Sequence, residues 1–216
     1  MRKIIALLMV AVMAFGFCSC KGTFGSDLDD AKKALKSECG AEKASKDQYK
    51  LMTDSQYANK DIADDFAKGA YAEISSKDFT FFKFHSVVDH SKIKSCFKYL
   101  KIDPKSLDND SVTSMEVLIV EFKDKESAQS YYDALYAKKE SAYKDVSFQL
   151  NIDSDFKGDE KSFVYGNKSD FMVFHAYAAI EKNVVVYAFL EGPVNDEMEK
   201  EYKAFIDKMK YEYADV

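Results

Sequence analysis

The alternation of apolar and polar positions divides the chain into a helical first half and a strand-rich second half. From Ser26, the residues Leu28, Ala31 and Leu35 recur at helical spacing, Ser26 or Asp27 supplies a cap, and Gly40 supplies a stop. Residues 41–52 are helix-compatible but strongly charged, so 20–58 reads as a tether and a solvated helical stalk or peripheral helix. Residues 61–74 predict an amphipathic helix with Ile62, Phe66, Ala70 and Ile74 on one face. An aromatic and β-branched stretch predicts a strand over 79–88. A short helix over 91–100 would carry Ile93, Cys96, Phe97 and Leu100 and end before Asp103 and Pro104.

The pattern sharpens at Val112. The dense apolar run Val117, Leu118, Ile119, Val120 predicts a buried strand over 112–122. Asp124 caps a helix reaching about Lys144, with Ala128, Tyr131, Tyr132, Leu135 and Tyr136 facing inward. Strict alternation over 146–152 predicts a half-buried strand, and 153–161 a polar turn. Strands follow over 162–165, 171–180 and 184–190, the last two as a tight antiparallel hairpin. Asn195 caps a final helix whose Met198, Tyr202, Phe205 and Met209 form a core-facing stripe. This order implies an α+β fold: a mainly antiparallel sheet with helices packed on one face, preceded by an N-terminal helical stalk. The domain proper spans 59–216 and is clearest over 110–213. Its strand, helix, strand opening resembles half of a ferredoxin-like unit.

The beginning of the chain sets the compartment. Arg2 and Lys3 precede an apolar run over residues 4–17, too short for the roughly 20 residues of a spanning helix, so 1–19 reads as a cleaved signal peptide. The window Phe17, Cys18, Ser19, Cys20 resembles the lipobox of bacterial lipoproteins. That resemblance implies lipidation of Cys20 as the mature N-terminus, with Lys21, Gly22 and Thr23 opening a polar tether; the alternative is an ordinary secretory leader cleaved near Ser19 without lipid. Two acyl chains on Cys20 would anchor the chain stably to the extracytoplasmic face of the cell membrane.

Loss of Arg2 and Lys3 takes the formal charge from -6 to -8 and leaves no arginine. Arginine is the residue that forks onto phosphate and reads guanine, and an acidic surface repels a nucleic-acid backbone, so nucleic acid is excluded as the expected partner. About 196 residues remain after the leader, enough for a real core. Cys39 and Cys96 are then the remaining cysteines, and the chain allows either a bridge or two separate thiols.

The second half resembles a group of small, uncharacterised lipoproteins of anaerobic bacteria. The resemblance rests on Leu118, Ile119, Val120, Glu121, Phe122 before a Lys/Glu-rich, Tyr-containing helix. It rests equally on Asn183, Val184, Val185, Val186, Tyr187, Ala188 before a C-terminal Glu/Lys helix. It implies a surface location and a fold, with no activity to carry over.

Candidate chemistry is sparse. Asp153, Asp155 and Gly158 follow an EF-hand spacing, but Lys157 and Val164 stand where oxygen ligands are required, so a polar hairpin turn is the expected reading. His85, Asp89, His90 and Cys96 fall close in sequence without a spacing that forces convergence on a metal. His175 lies between Phe174 and Ala176 and reads as a sheet residue. Nucleophile elbow, Cys-x-x-Cys and phosphate-loop signatures are missing from the sequence. The expectation is therefore a non-catalytic binding or interaction module without cofactor or metal, meeting an envelope protein or wall polymer. The alternative is a small-ligand or metal-binding receptor.

Overall fold

The computed structural model describes residues 28–54, 58, 60–75, 78, 89–103, 112–146 and 152–209. Five helices are α1 (Leu28–Cys39), α2 (Lys46–Asp54), α3 (Ala63–Phe66), α4 (Lys125–Val146) and α5 (Asp196–Lys208). Eight strands are β1 (Glu42–Lys43), β2 (Ala70–Ile74), β3 (Ile93–Asp103), β4 (Thr113–Phe122), β5 (Asp153–Gly158), β6 (Ser162–Lys168), β7 (Met172–Glu181) and β8 (Val184–Pro193). They form one sheet in the order β1-β2-β3-β4-β8-β7-β6-β5. Only the β1–β2 pair is parallel. The α+β class with a mainly antiparallel sheet is as the sequence predicts.

The helices, however, occupy both faces rather than one. Successive residues of β4 enter different cores: Leu118 and Val120 join one cluster with Tyr131, Tyr132 and Leu135 of α4. Val117 and Ile119 join another with Ala31, Ala34 and Leu35 of α1 and Met198, Tyr202 and Phe205 of α5. The strand pleat sends alternate side chains to opposite faces, so the clusters are the two sides of one sheet. The expected N-terminal stalk is corrected accordingly. Ala31 and Leu35 are fully buried, and α1 is a peripheral helix docked on the second face beside α5.

Other expectations shift for local reasons. The predicted helix over 91–100 is most of β3: Ile93, Cys96, Phe97 and Leu100 suit a helical stripe, yet they equally suit a strand buried on both sides. Pairing with β2 and β4 decides in favour of the strand. The predicted helix over 61–74 ends at Phe66. Gly69 then adopts φ +76°, and a Cβ there would lie 2.5 Å from the Tyr99 hydroxyl, so only glycine lets the chain turn into β2.

The predicted turn over 153–161 is mostly β5. The turn proper is tied by Asp159, whose Oδ1 accepts from the Lys161 and Ser162 amides at 2.7 and 3.0 Å. Of the predicted strand over 146–152, Val146 ends α4 and 147–151 lie outside the described residues, as does the predicted strand over 79–88. Three strands separate β4 from β5, so the half-ferredoxin unit, a split βαβ, is not formed.

The remaining second-half elements stand where the pattern put them. Asp124 Oδ1 accepts from the Ser127 amide at 2.7 Å, capping α4, and Asn195 Oδ1 accepts from the Met198 amide at 3.1 Å, capping α5. Lys101 and Lys168, from β3 and β6, hold Glu201 and Glu199 of α5 at 2.6 and 2.8 Å. Among the described residues no helix is long and apolar enough to cross a membrane.

The first-face core contains an ion pair. Lys98 Nζ lies 2.8 Å from Glu116 Oε1, both side chains almost fully buried, and Lys98 also donates to the Met52 carbonyl of α2 at 3.4 Å. Burial pushes the Glu116 carboxyl above its ordinary range, against the opposing pull of Lys98. Removing one partner of such a pair strands a charge in the core, whereas replacing both by apolar residues does not. Lys98→Ala should therefore lower stability by about 3–5 kcal/mol in urea unfolding, and Lys98→Met combined with Glu116→Leu should recover most of that loss.

Cys39 and Cys96 are free thiols buried in the second-face and first-face cores respectively, so the sheet stands between them and no bridge joins them. Burial pushes each thiol up to about 12. At pH 8 both should resist alkylation in the folded protein and react only on unfolding, as read by peptide mapping after an iodoacetamide pulse.

Candidate functional site

Where β2, β3, β4 and β8 run past the helices of the second face, the strand register sets two rows of side chains next to one another. Glu73, Phe97 and Ile119 share one row. Ser95, Glu121 and Val184 share the next. With Ile74, Ser75, Lys94 and Cys96 these residues line a groove of about 470 Å³. That volume falls within the roughly 300–1,000 Å³ of small-molecule clefts.

The floor is apolar. Phe97 and Ile119 project only a few atoms to the surface, and the Tyr71 ring stacks on Phe97 at 5.6 Å between centroids. The rim is charged but internally matched. Lys94 Nζ bonds Glu121 Oε1 at 2.8 Å, the Ser95 hydroxyl donates to Glu121 Oε2 at 3.1 Å, and Lys32 of α1 bonds Glu73 Oε1 at 2.5 Å. The bond from Lys94 holds the Glu121 carboxyl below its ordinary range. Each named rim carboxylate thus faces a lysine, and the arrangement can bind through apolar contact bordered by compensated charge.

A second polar niche lies on the first face, where Lys139 of α4 passes over the rings of Phe174 and Tyr165 at 4.0 and 6.0 Å. Burial, helped by neighbouring Lys138, lowers its ammonium to about 8, and Glu191 opposes that shift. The rings and the carboxylate hold the cation as a structural cation–π contact.

The residues singled out from the sequence do not assemble into one site. Cys20 and His85 lie outside the described residues. Asp89 is exposed and its Oδ1 accepts from the Ser91 amide at 2.9 Å, whereas Cys96 is buried in the core. His90 begins a 3-10 turn, His90–Lys92. Asp155 lies on β5 and pairs with Lys157 at 2.9 Å, and the extended β5 backbone from Asp153 to Gly158 does not wrap as a calcium loop does. Val164 is buried in the second-face core. Among the described residues, no three or more His, Cys, Asp or Glu side chains gather as metal ligands. The sequence reading missed the groove because it placed Phe97 and Ser95 on a helix, which hid their pairing with β2 and β4. The available signal was the run Ile93, Ser95, Cys96, Phe97 and Tyr99, all weaker helix formers than Ala or Leu.

These features define a class: an α+β protein with one antiparallel sheet between two helical layers and a groove at one end of it. No protein-family model matches the chain, and no curated protein matches it. Among solved structures the chain is similar to the extracellular domain of PknH from Mycobacterium tuberculosis. The TM-score is 0.34 and the identity 14%, over 57% of this chain and 68% of that one.

His175 is a buried titratable group of β7, 1% exposed and stacked on Tyr202 of α5 at 6.0 Å. Burial, with nearby Lys168, lowers it from 6.5 to about 4. The unfolded chain binds this proton below pH 6.5 and the folded protein does not until about pH 4, so stability present above 6.5 is lost as pH falls through that window. The loss from this group is about 3 kcal/mol. His175→Phe should remove that part of the decline between pH 7 and pH 4 in urea titrations, while the wild type keeps it.

Proposed function

We propose that the chain is an exported lipoprotein, held at the extracytoplasmic face of the membrane through Cys20, and that it acts there as a non-catalytic binding module. The reading rests on the short apolar leader ending at Ser19 and Cys20 and on the polar residues that follow as a tether. The single structural observation that supports a binding role is the groove over Phe97, Ile119 and Val184, an apolar floor edged by lysine–carboxylate pairs. On this reading the groove is a binding surface, where polar and charged rim groups set the orientation of what it holds. Partners of this class include an envelope protein, a wall polymer or a small ligand carrying an apolar part.

Cys20→Ala should move the protein from the membrane fraction to the soluble extracytoplasmic fraction, and the wild-type mature chain should show a diacylglyceryl-modified N-terminal cysteine by intact mass. Unchanged fractionation of the variant would overturn the lipid anchor.

A further inference from the structure

The sheet ends in two edges. At one, β1 has 2 residues and is too short to take another strand. At the other, β5 presents 6 residues, and among the described residues no strand lies beyond it. The hydrogen-bond phase of this edge follows from its neighbours. The Asp159 amide donates to the Ser162 carbonyl at 2.8 Å, and the Ile180 amide donates to the Lys161 carbonyl at 2.9 Å. In an antiparallel ladder successive residues turn their amide and carbonyl to opposite sides. Asp153, Asp155 and Lys157 therefore bond β6, whereas Ser154, Phe156 and Gly158 point their backbone groups away from the sheet.

These outward residues are symmetric about Phe156, and the charges between them are matched about the same point. A second β5 laid antiparallel, with a two-fold axis at Phe156, pairs Ser154 with Gly158 of the second copy and Phe156 with its own counterpart. Every outward amide and carbonyl of the strand then finds a partner. Asp155 and Lys157 stand on the second face, where they already pair within the strand at 2.9 Å. Across the axis each meets the opposite charge of the second copy, in the non-hydrogen-bonded positions where side chains lie closest. An axis moved to Asp155 or to Lys157 would set like charges opposite each other and carry one outward residue past the end of the partner strand. Asp153 would approach Asp159 of the second copy, but Asp159 has left the strand, and the Lys161 and Ser162 amides hold its carboxylate in the turn. On the first face Phe156 is half-buried, stacked on Tyr143 and edge-on to Tyr136 of α4 at 5.9 and 5.3 Å. Its counterpart extends that aromatic layer across the axis. Charges on a short edge strand deter indiscriminate pairing. Here their order admits a strand of the same sequence. We propose that β5 is a self-recognition edge, through which two copies of this chain join their sheets antiparallel about Phe156. The proposal is independent of the lipid anchor and of the groove. A single short strand pair is a small contact, so the dimer is weak, with a Kd on the order of 100 μM.

Sedimentation velocity of the full chain in density-matched detergent, over concentrations bracketing that value, tests the proposal. The wild type should pass from monomer to dimer. Asp155→Lys and Lys157→Asp, each alone, set like charges across the axis and should weaken self-association by about tenfold or more. Mixed together, these variants should form a heterodimer, and both substitutions in one chain should restore the homodimer. Ser154→Pro, which removes an outward amide and no bond to β6, should also weaken pairing. A wild type that stays monomeric, a dimer indifferent to Lys157→Asp, or variants that fail to complement on mixing would overturn the proposal. Circular dichroism melting verifies that each variant is folded. If the variants unfold, amide hydrogen exchange of the wild type replaces them. Protection of Ser154, Phe156 and Gly158 should then rise with protein concentration while that of Lys157 holds constant, and protection that does not change would overturn the proposal.

Discussion

The structure depends on a pair of strands that are dry on both faces. Every residue of β4 from Thr113 to Val120 is buried, as is every residue of β8 from Val185 to Leu190. A strand with one wet face needs a single helical layer, but a pair with none needs a layer on each side. That requirement places α4, with α2 and α3, on one face and α1 with α5 on the other. It also explains why so short a helix as α1 is folded onto the body. Without Ala31, Ala34 and Leu35 above them, Phe97 and Tyr99 would lose cover that α5 alone does not supply.

Charge is used to place these layers rather than to drive their formation. Lys101 and Lys168 stand on β3 and β6 and reach Glu201 and Glu199, two residues apart on α5, so the helix is held from both sides of the β4–β8 pair. Partly buried pairs of this kind contribute modestly to stability, but they fix the position of a helix whose apolar stripe alone would tolerate some sliding. Tyr202 adds a directional bond, its hydroxyl donating to the Ala188 carbonyl at 3.3 Å in the middle of β8. The Lys98–Glu116 pair acts within the other layer, where the bond from Lys98 to the Met52 carbonyl links α2 to β3.

The second half was legible because each of its elements has a single competing period. In α4, Ala128, Tyr131, Tyr132 and Leu135 follow a helix repeat from a capping Asp124. In the β7–β8 hairpin the turn at Lys182 and Asn183, with Lys182 at φ 55°, falls between two apolar runs. The first half was not legible for an equally physical reason. A strand buried on both sides loses the alternation that marks a strand, so Ile93, Cys96, Phe97 and Leu100 satisfy the helical template and only the partners in β2 and β4 distinguish the two. Similarly, the stripe Ile62, Phe66, Ala70, Ile74 keeps its apolar rhythm across the turn at Gly69, because all four side chains enter the same core by different routes. The docking of α1 was also unreadable, because the contacts of Lys32 with Glu73 and of Lys36 with Tyr71 link residues far apart in sequence. The groove inherits this difficulty, since its floor is a product of strand register.

Why the groove opens on the second face and not the first follows from element lengths. Strands β3 and β4 have 11 and 10 residues and run about 36 and 33 Å. On the first face α4, with 22 residues, extends about 33 Å across β4 to β8, and α2 and α3 cover β2 and β3. On the second face α1 and α5, with 12 and 13 residues, reach only about 18 and 20 Å. Asn195 bonds Asp103 at one end of the sheet, which draws the start of α5 toward the far end of β3. The shortfall in helical cover therefore falls at the opposite end, over Ser95, Glu121 and Val184, while Phe97 and Ile119 stay buried. Glu73, Lys94, Ser95 and Glu121 occupy that strip, so little hydrophobic surface meets water there. The same strand lengths that demand two helical layers thus leave a strip that polar and charged side chains fill.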